Sequence, residues 1–298
     1  MEQPSALEAR ERFAPQPSGR GPARRRLRLL LLLGGALVIW SGVGCSLSRR
    51  MIFPGSPTAL PAAGSDLGGG AQVLEYASQD GVALRGVLAR ASNERGPGAR
   101  PALVYFHGNA ESAADNLEVA RLFAAAGADV LVAEYRGYGG CDGSPSEAGL
   151  FLDAQAALSA ASQALGRPEQ ELLLVGRSLG TGVAARLAGE GHGAGLVLIS
   201  PYTSIYEMAC LVAPRPLVWA AVHDRFETLE YLHHYAGPLL VLHGTSDEVI
   251  PFAMGQTVAG TFPQARFVPL PGVGHNDVYQ RAWREVVGEV LALARAPR

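Results

Sequence analysis

The stretch LLLVGRSLGTGVAARLA, Leu172 to Ala188, changes its period halfway along. Leu172 to Val175 is a short apolar run of buried-strand type, and from Leu179 onward the small and apolar residues follow a helical spacing. Between the two stand Gly176, Arg177, Ser178, Leu179 and Gly180. The chain therefore reverses within a few residues and carries a hydroxyl at the tip. A serine between two glycines at a strand-to-helix turn is the sequence form of a nucleophile elbow, where small neighbours let a strained residue pack between strand and helix. A buried βα turn that merely contains a serine has the same local pattern, so the rest of the chain must decide.

Strand-like and helix-like segments alternate on both sides of this turn. Val73–Ser78 and Val82–Arg90, joined through Asp80–Gly81, read as an antiparallel hairpin. Five apolar runs follow: PALVYFHG, DVLVAEYRG, ELLLVGRS, GLVLISP and PLLVLHGTSD; a sixth, ARFVPLPG, is more amphipathic. Helical patterns cover Glu111–Ala126, Ser146–Leu165, Leu179–Glu190, Phe252–Phe262 and Asp277–Ala294. Alternating strands and helices predict right-handed crossovers and an α/β fold with a mostly parallel, twisted sheet. Residues 202–235 interrupt the alternation as a longer, partly apolar insertion.

A serine hydroxyl at neutral pH needs a base, and the base needs an orienting carboxylate. In this topology both belong on loops at the carboxyl ends of later strands, in the order Ser, acid, His. PLLVLHG is followed by TSDEVIP, which supplies Asp247; FVPLPG is followed by VGHND, which supplies His275. Glu248 is the alternative acid. Asp277 reads as a cap of the last helix, and Asp224 as a turn residue or an ion-pair partner of Arg225. Two backbone N–H groups should face the developing oxyanion: that of Leu179, after the nucleophile, and that of Asn109, in the loop His107-Gly108-Asn109-Ala110. His107 reads as a structural brace for that loop, and His243 as a strand-end histidine bonded to backbone. His192, His233 and His234 read as surface or helix residues. Gly180-Thr181-Gly182-Val183-Ala184-Ala185 fits a loose dinucleotide fingerprint, but the following strand ends at Ser200 rather than at an acidic residue.

The 298 residues carry a net charge of -2 and 48% apolar side chains, enough for one sizeable domain. Nothing concentrates positive charge as nucleic-acid binding demands. The three cysteines, Cys45, Cys141 and Cys210, form neither a disulfide framework nor a metal pair, and His223, His233 and His234 lack zinc-like spacing. No metal or organic cofactor is expected.

The amino terminus departs from a plain globular chain. Residues 1–28 are rich in Pro, Arg and Ser and predict a basic, disordered start. Residues 29–45 hold LLLLLGGALVIWSGVGC, a run without charge at the lower edge of bilayer-spanning length, ~17–25 residues. More arginines precede it than follow it, which predicts a signal anchor with the remainder outside the cytoplasm. A cleaved signal and a lipidated Cys45 are the other readings. Residues 46–70 read as a Gly- and Pro-rich linker, and residues 71–298 as the catalytic domain.

With these residues in place the chain resembles the α/β-hydrolase superfamily. More narrowly it is similar to the membrane-anchored α/β-hydrolase-domain branch of depalmitoylases, lysophospholipid lipases and bacterial relatives. RRMIFPG, YFHGNAE, YRGYGGCDGSPSEAGL, VGRSLGTGVAARLA, SPYTSI, DRFETLEYL, HGTSDEVIPF and GVGHND carry the likeness. It implies Ser178, Asp247 and His275 as the triad, Asn109 and Leu179 as oxyanion donors, and an extracytoplasmic domain. The expected chemistry is hydrolysis of a small-molecule or lipid ester or thioester with an apolar acyl group, through an acyl-enzyme. Leu211, Val212, Leu217, Val218 and Trp219, in the insertion, read either as a lid and acyl pocket or as an ordinary core helix. A serine peptidase and an inactive tethered binding protein are the alternatives, and the complete set of three side chains argues against the latter. The oligomeric state is not legible in the sequence.

Overall fold

The computed structural model describes residues 44, 46–91 and 100–296. Residues 1–28 and, apart from Gly44, the apolar run 29–45 lie outside the described residues. Among the described residues no helix is long and apolar enough to cross a membrane.

Among the described residues nine strands form one sheet. In chain order they are β1 (Asp66–Gly68), β2 (Ala71–Ala77), β3 (Ala83–Ala89), β4 (Ala102–Phe106), β5 (Asp129–Ala133), β6 (Leu173–Arg177), β7 (Gly195–Ile199), β8 (Leu239–Gly244) and β9 (Ala265–Leu270). Their spatial order is β1-β2-β3-β5-β4-β6-β7-β8-β9, antiparallel through β3–β5 and parallel from β5 to β9. The strands from β4 to β8 are buried throughout, which is why they read as continuous apolar runs. β9 at the edge alternates instead.

The helices are α1 (residues 46–52), α2 (Leu117–Ala125), α3 (Glu147–Leu165), α4 (Leu179–Gly189), α5 (Ile205–Cys210), α6 (Arg215–Ala221), α7 (Thr228–Tyr231), α8 (Phe252–Thr261) and α9 (Val278–Arg295). Alternate strand residues feed two cores. Val104 and Phe106 pack with residues of α3 and α4 on one face; Leu103 and Tyr105 pack with those of α2 and α9 on the other. This is the three-layer α/β arrangement, with a mostly parallel sheet, that the alternation predicts.

Two segments differ from the sequence expectation. The helix expected from Glu111 starts only at Leu117, because Ser112 and Asp115 bond to each other, backbone N–H and hydroxyl to carboxylate at 2.9 Å, and hold a turn. Residues 46–70 do not run as a free linker. They carry α1 and β1, bury Phe53 and Leu60, and stack the Phe53 ring edge-on against Phe226 at 6.0 Å. The few apolar residues scattered among its glycines and prolines show no period, so nothing marked them as core.

Charged side chains tie the layers where apolar packing stops. Arg136, just after β5, bonds Asp153 of α3 and Asp80 of the β2–β3 turn. The Arg136 guanidinium holds the exposed Asp80 carboxyl down at about 2. The Glu147 carboxylate at the start of α3 accepts the N–H groups of Arg225 and Phe226 at 2.8 and 2.9 Å and the hydroxyl of Tyr231. Asp224 pairs with Arg49 at 2.7 Å, not with the neighbouring Arg225, and also accepts the Glu147 N–H.

The sheet and α4 approach so closely that a Cβ on Gly180 would stand 2.0 Å from the Phe106 carbonyl oxygen, and one on Gly176 would stand 2.3 Å from the Gly180 carbonyl oxygen. Gly288, exposed on α9, has open space at the same position. Gly180→Ala is therefore expected to destabilise the fold by ~3 kcal/mol or more. Gly288→Ala is expected to stabilise it by ~0.5–1 kcal/mol, a rise in Tm of roughly 1–4 °C. Thermal melts of both variants check the contrast.

Candidate functional site

β6 ends at Arg177 and α4 begins at Leu179, leaving Ser178 alone in the turn. Its backbone sits at φ 51° and ψ -119°, in the left-handed half of conformational space that a residue with a Cβ avoids at a cost of ~1–3 kcal/mol. The strain is held from both sides. Ser178 N–H donates to the Ile199 carbonyl of β7 at 3.0 Å, while the Ser178 carbonyl accepts both the N–H and the hydroxyl of Thr181. Tyr202, after β7, donates its hydroxyl to the Leu179 carbonyl at 3.1 Å. The result is a buried side chain aimed off the carboxyl edge of the sheet.

The loops after β8 and β9 are joined by backbone hydrogen bonds: Thr245 N–H donates to Leu270 and Ser246 N–H to Val273, each at 3.0 Å. That pairing sets Asp247 beside His275. The imidazole Nδ1 lies 2.9 Å from Asp247 Oδ2, and Nε2 lies 3.0 Å from Ser178 Oγ. Nδ1–H facing the carboxylate leaves Nε2 free to accept the serine proton. The three expected residues are therefore brought together, in the expected order.

Asp247 is surrounded by donors. Oδ1 accepts the N–H groups of Val249 and Ile250 at 3.0 and 2.8 Å, and Oδ2 lies 3.4 Å from His243 Nε2 as well as against His275. Burial alone pushes a carboxyl up, but the hydrogen bonds from His243, His275 and the Ile250 N–H outweigh it and hold Asp247 well below the usual carboxylate range. His243 is wholly buried, and its Nε2 also meets the Ile250 carbonyl at 3.0 Å, as expected for a histidine bonded to backbone. Gly255 of α8 leaves room for it: a Cβ there would fall 2.2 Å from His243 Nδ1.

The backbone of His275 is gripped at both ends by charged side chains. Its N–H donates to Glu248 Oε2 at 3.1 Å, and its carbonyl accepts from Arg177 at 2.8 Å. Glu248 thus meets the backbone of His275 and not its ring, which leaves Asp247 as the partner of the imidazole. Arg177 is buried and also pairs with Glu111 in the middle of the β4–α2 connection. The signal for Arg177 was available: a charge at the end of an otherwise apolar strand must find a partner when buried. Its partners lie far away in sequence, and no spacing rule names them. A cavity of about 400 Å³, lined by Glu111, Asn116, Arg177, Asn276 and Tyr279, backs onto this frame.

The loop bearing Asn109 is pressed against the elbow by the Gly180–Phe106 contact, and a Cβ on Gly108 would stand 3.4 Å from Arg177 Nη1. Neither Asn109 N–H nor Leu179 N–H has an acceptor among the described residues. His107 is buried behind the loop, its Nε2 2.8 Å from Glu134 Oε1, and serves as a brace. Asp277 precedes α9 but does not cap it through its side chain; Oδ1 accepts the Gly274 N–H at 2.6 Å and Oδ2 pairs with Arg281. Of the five apolar residues read as a lid or acyl pocket, only Val218 is buried. Leu211, Val212, Leu217 and Trp219 are 58, 84, 52 and 65% exposed, so they line no enclosed acyl pocket and belong to no core.

Residues 97–229 match the family described as serine aminopeptidase S33, a span that includes Asn109 and Ser178 and stops short of Asp247 and His275. The chain is 32% identical over 234 residues to Protein bem46 of Schizosaccharomyces pombe, covering 74% of this chain and 76% of that one. It is 30% identical over 213 residues to the alpha/beta hydrolase domain-containing protein 17C of Xenopus laevis, covering 70% and 65%. Among solved structures, the Pyrococcus furiosus esterase Pf2001 superposes with a TM-score of 0.62 at 18% identity, over 79% of this chain and 97% of that one. The last likeness is one of fold. Strand order, strained serine turn and sequence relatives agree that the chain belongs to the α/β-hydrolase superfamily, in the branch of bem46 and the α/β-hydrolase-domain proteins.

Proposed function

We propose that this protein is a membrane-anchored serine hydrolase acting on carboxylic esters or thioesters with an apolar acyl group. One observation carries the reading: the hydrogen-bonded line from Ser178 Oγ through the His275 ring to Asp247, set on a strained turn. His275 takes the proton of Ser178 as the oxygen attacks the substrate carbonyl, and Asp247 holds the imidazole in the required tautomer. The tetrahedral oxyanion is met by the N–H groups of Asn109 and Leu179, and the start of α4 adds its dipole. His275 then returns the proton to the leaving group. Water attacks the acyl-enzyme by the same route and releases the acid. Attachment through residues 29–45, with the domain outside the cytoplasm, rests on the arginine asymmetry of the sequence.

A serine aminopeptidase is the second reading, favoured by the description of the matched family. Purified full-length protein is expected to hydrolyse short p-nitrophenyl esters faster than aminoacyl anilides; the reverse order would assign the peptidase activity instead.

A fluorophosphonate probe is expected to label the wild type and not Ser178→Ala, whose kcat should fall on the order of 10⁴-fold or more. Labelling that survives the substitution would remove Ser178 from the nucleophile role.

Asp247→Asn is expected to lower kcat on the order of 10⁴-fold. Glu248→Gln keeps an acceptor for the His275 N–H and should stay within about tenfold of wild type. A severe loss at Glu248 with Asp247→Asn near normal would reverse the two assignments. Because the folded protein holds Asp247 well below the carboxylate range, kcat/KM should show no Asp247-dependent ionisation between about pH 3 and 5. A step there that disappears in Asp247→Asn would contradict the hydrogen-bonded anion.

A further inference from the structure

Seven large apolar side chains stand exposed among the described residues, and six of them belong to α1 and the insertion. Leu47 and Met51 lie on α1, 59 and 69% exposed; Leu211, Val212, Leu217 and Trp219 lie on and just before α6. The two segments adjoin. Ser48 donates its hydroxyl to the Ala221 carbonyl at 2.8 Å, Arg49 pairs with Asp224, and a Cβ on Gly44 would lie 3.1 Å from that of Ala221. Exposed apolar residues on a soluble surface are ordinarily scattered, and a concentration of them marks an interaction face.

Three features choose the occupant. The apolar run 29–45 leads directly into α1, so this face begins where the uncharged stretch ends. Residues 46–52 and 205–225 carry four arginines; Arg49 pairs with Asp224 and Arg215 with Glu207, which leaves Arg50 and Arg225 with no ion pair among the described residues. The largest exposed apolar side chain is a tryptophan, whose amphipathic ring favours the headgroup level of a bilayer. Apolar residues among arginines fit a surface of acyl chains beneath anionic phosphates. A protein partner's apolar patch would gain nothing from the excess cations.

We propose that α1 and the α5–α6 segment form a docking face that beds into the interfacial region of an anionic lipid bilayer, with Trp219 and Val212 entering deepest. The inference rests on the membrane attachment proposed above and adds an orientation: the insertion between β7 and β8 faces lipid, so an acyl chain can reach the domain from the membrane side.

Tryptophan quenching in vesicles tests it. The full-length chain has three tryptophans, Trp40, Trp219 and Trp283. One variant keeps only Trp219 (Trp40→Phe, Trp283→Phe) and another only Trp40 (Trp219→Phe, Trp283→Phe). Both are reconstituted into phosphatidylcholine vesicles containing phosphatidylglycerol, with lipids brominated either near the headgroup or near the chain end. Trp219 emission is expected to shift to the blue and lose intensity with headgroup-proximal bromines more than with chain-end bromines. Adding Leu47→Ser and Met51→Ser should weaken that quenching and leave Trp40 unchanged, with circular dichroism reporting that the variant is folded. Trp219 unquenched overturns the docking face; Trp40 quenched in the same vesicles would show that the anchor itself stands. If instead the serine variant turns a dimer into a monomer while Trp219 stays unquenched, the face belongs to a second copy of the chain and the proposal fails.

Discussion

The close approach of α4 to β4 governs this molecule. With hydrogen atoms at Gly176 and Gly180, the helix that follows Ser178 lies directly on the sheet, and only then can the serine occupy a backbone conformation alien to side-chain-bearing residues. The strain of one residue is maintained by many ordinary interactions around it: the hydrogen bonds to Ile199 and Thr181, the buried strands on either side, and Tyr202 at the next strand end. The same contact presses the Asn109 loop toward the elbow. Two missing side chains therefore fix both the oxygen proposed to attack and the amides proposed to receive the resulting charge.

The imidazole is positioned by different means. Nothing in the loop after β9 is regular, so charged side chains supply the rigidity that a helix or strand would otherwise give. Glu248 holds the N–H of His275 and Arg177 holds its carbonyl, while Arg177 is itself fixed by Glu111. Because Arg177 immediately precedes Ser178, nucleophile and base are referenced to the same short piece of chain. Asp247, saturated with donors, orients the ring and stays a carboxylate.

The succession of strands and helices and the three converging residues were legible in the sequence because each follows from local pattern and topology. An apolar run ending in a turn gives a buried parallel strand, and a polar residue one loop beyond its carboxyl end gives a site position. What escaped was long-range. Arg177 and Glu111 are 66 residues apart, and only the folded sheet makes them partners. Glu248, one residue from Asp247, is distinguished from it by which His275 atom each one faces, and spacing does not encode that. Residues 46–70 escaped for another reason: Phe53 and Leu60 are isolated apolar residues in a composition that resembles a spacer, and their burial is decided by a groove built elsewhere in the chain. The insertion was half legible. Its apolar character is plain in the sequence, but the direction those side chains face is not.

That amino-terminal segment has a consequence for where the chain can be cut. A protease cutting near residue 70 would not release a finished globule, because it would pull Phe53 and Leu60 out of the interior and strip β1 from the sheet edge. Loss of one such phenylalanine contact alone costs ~3–5 kcal/mol, against a total stability of ~5–15 kcal/mol for a typical domain. The boundary of the folded domain is thus set by packing: a stable fragment must keep the chain from about residue 46.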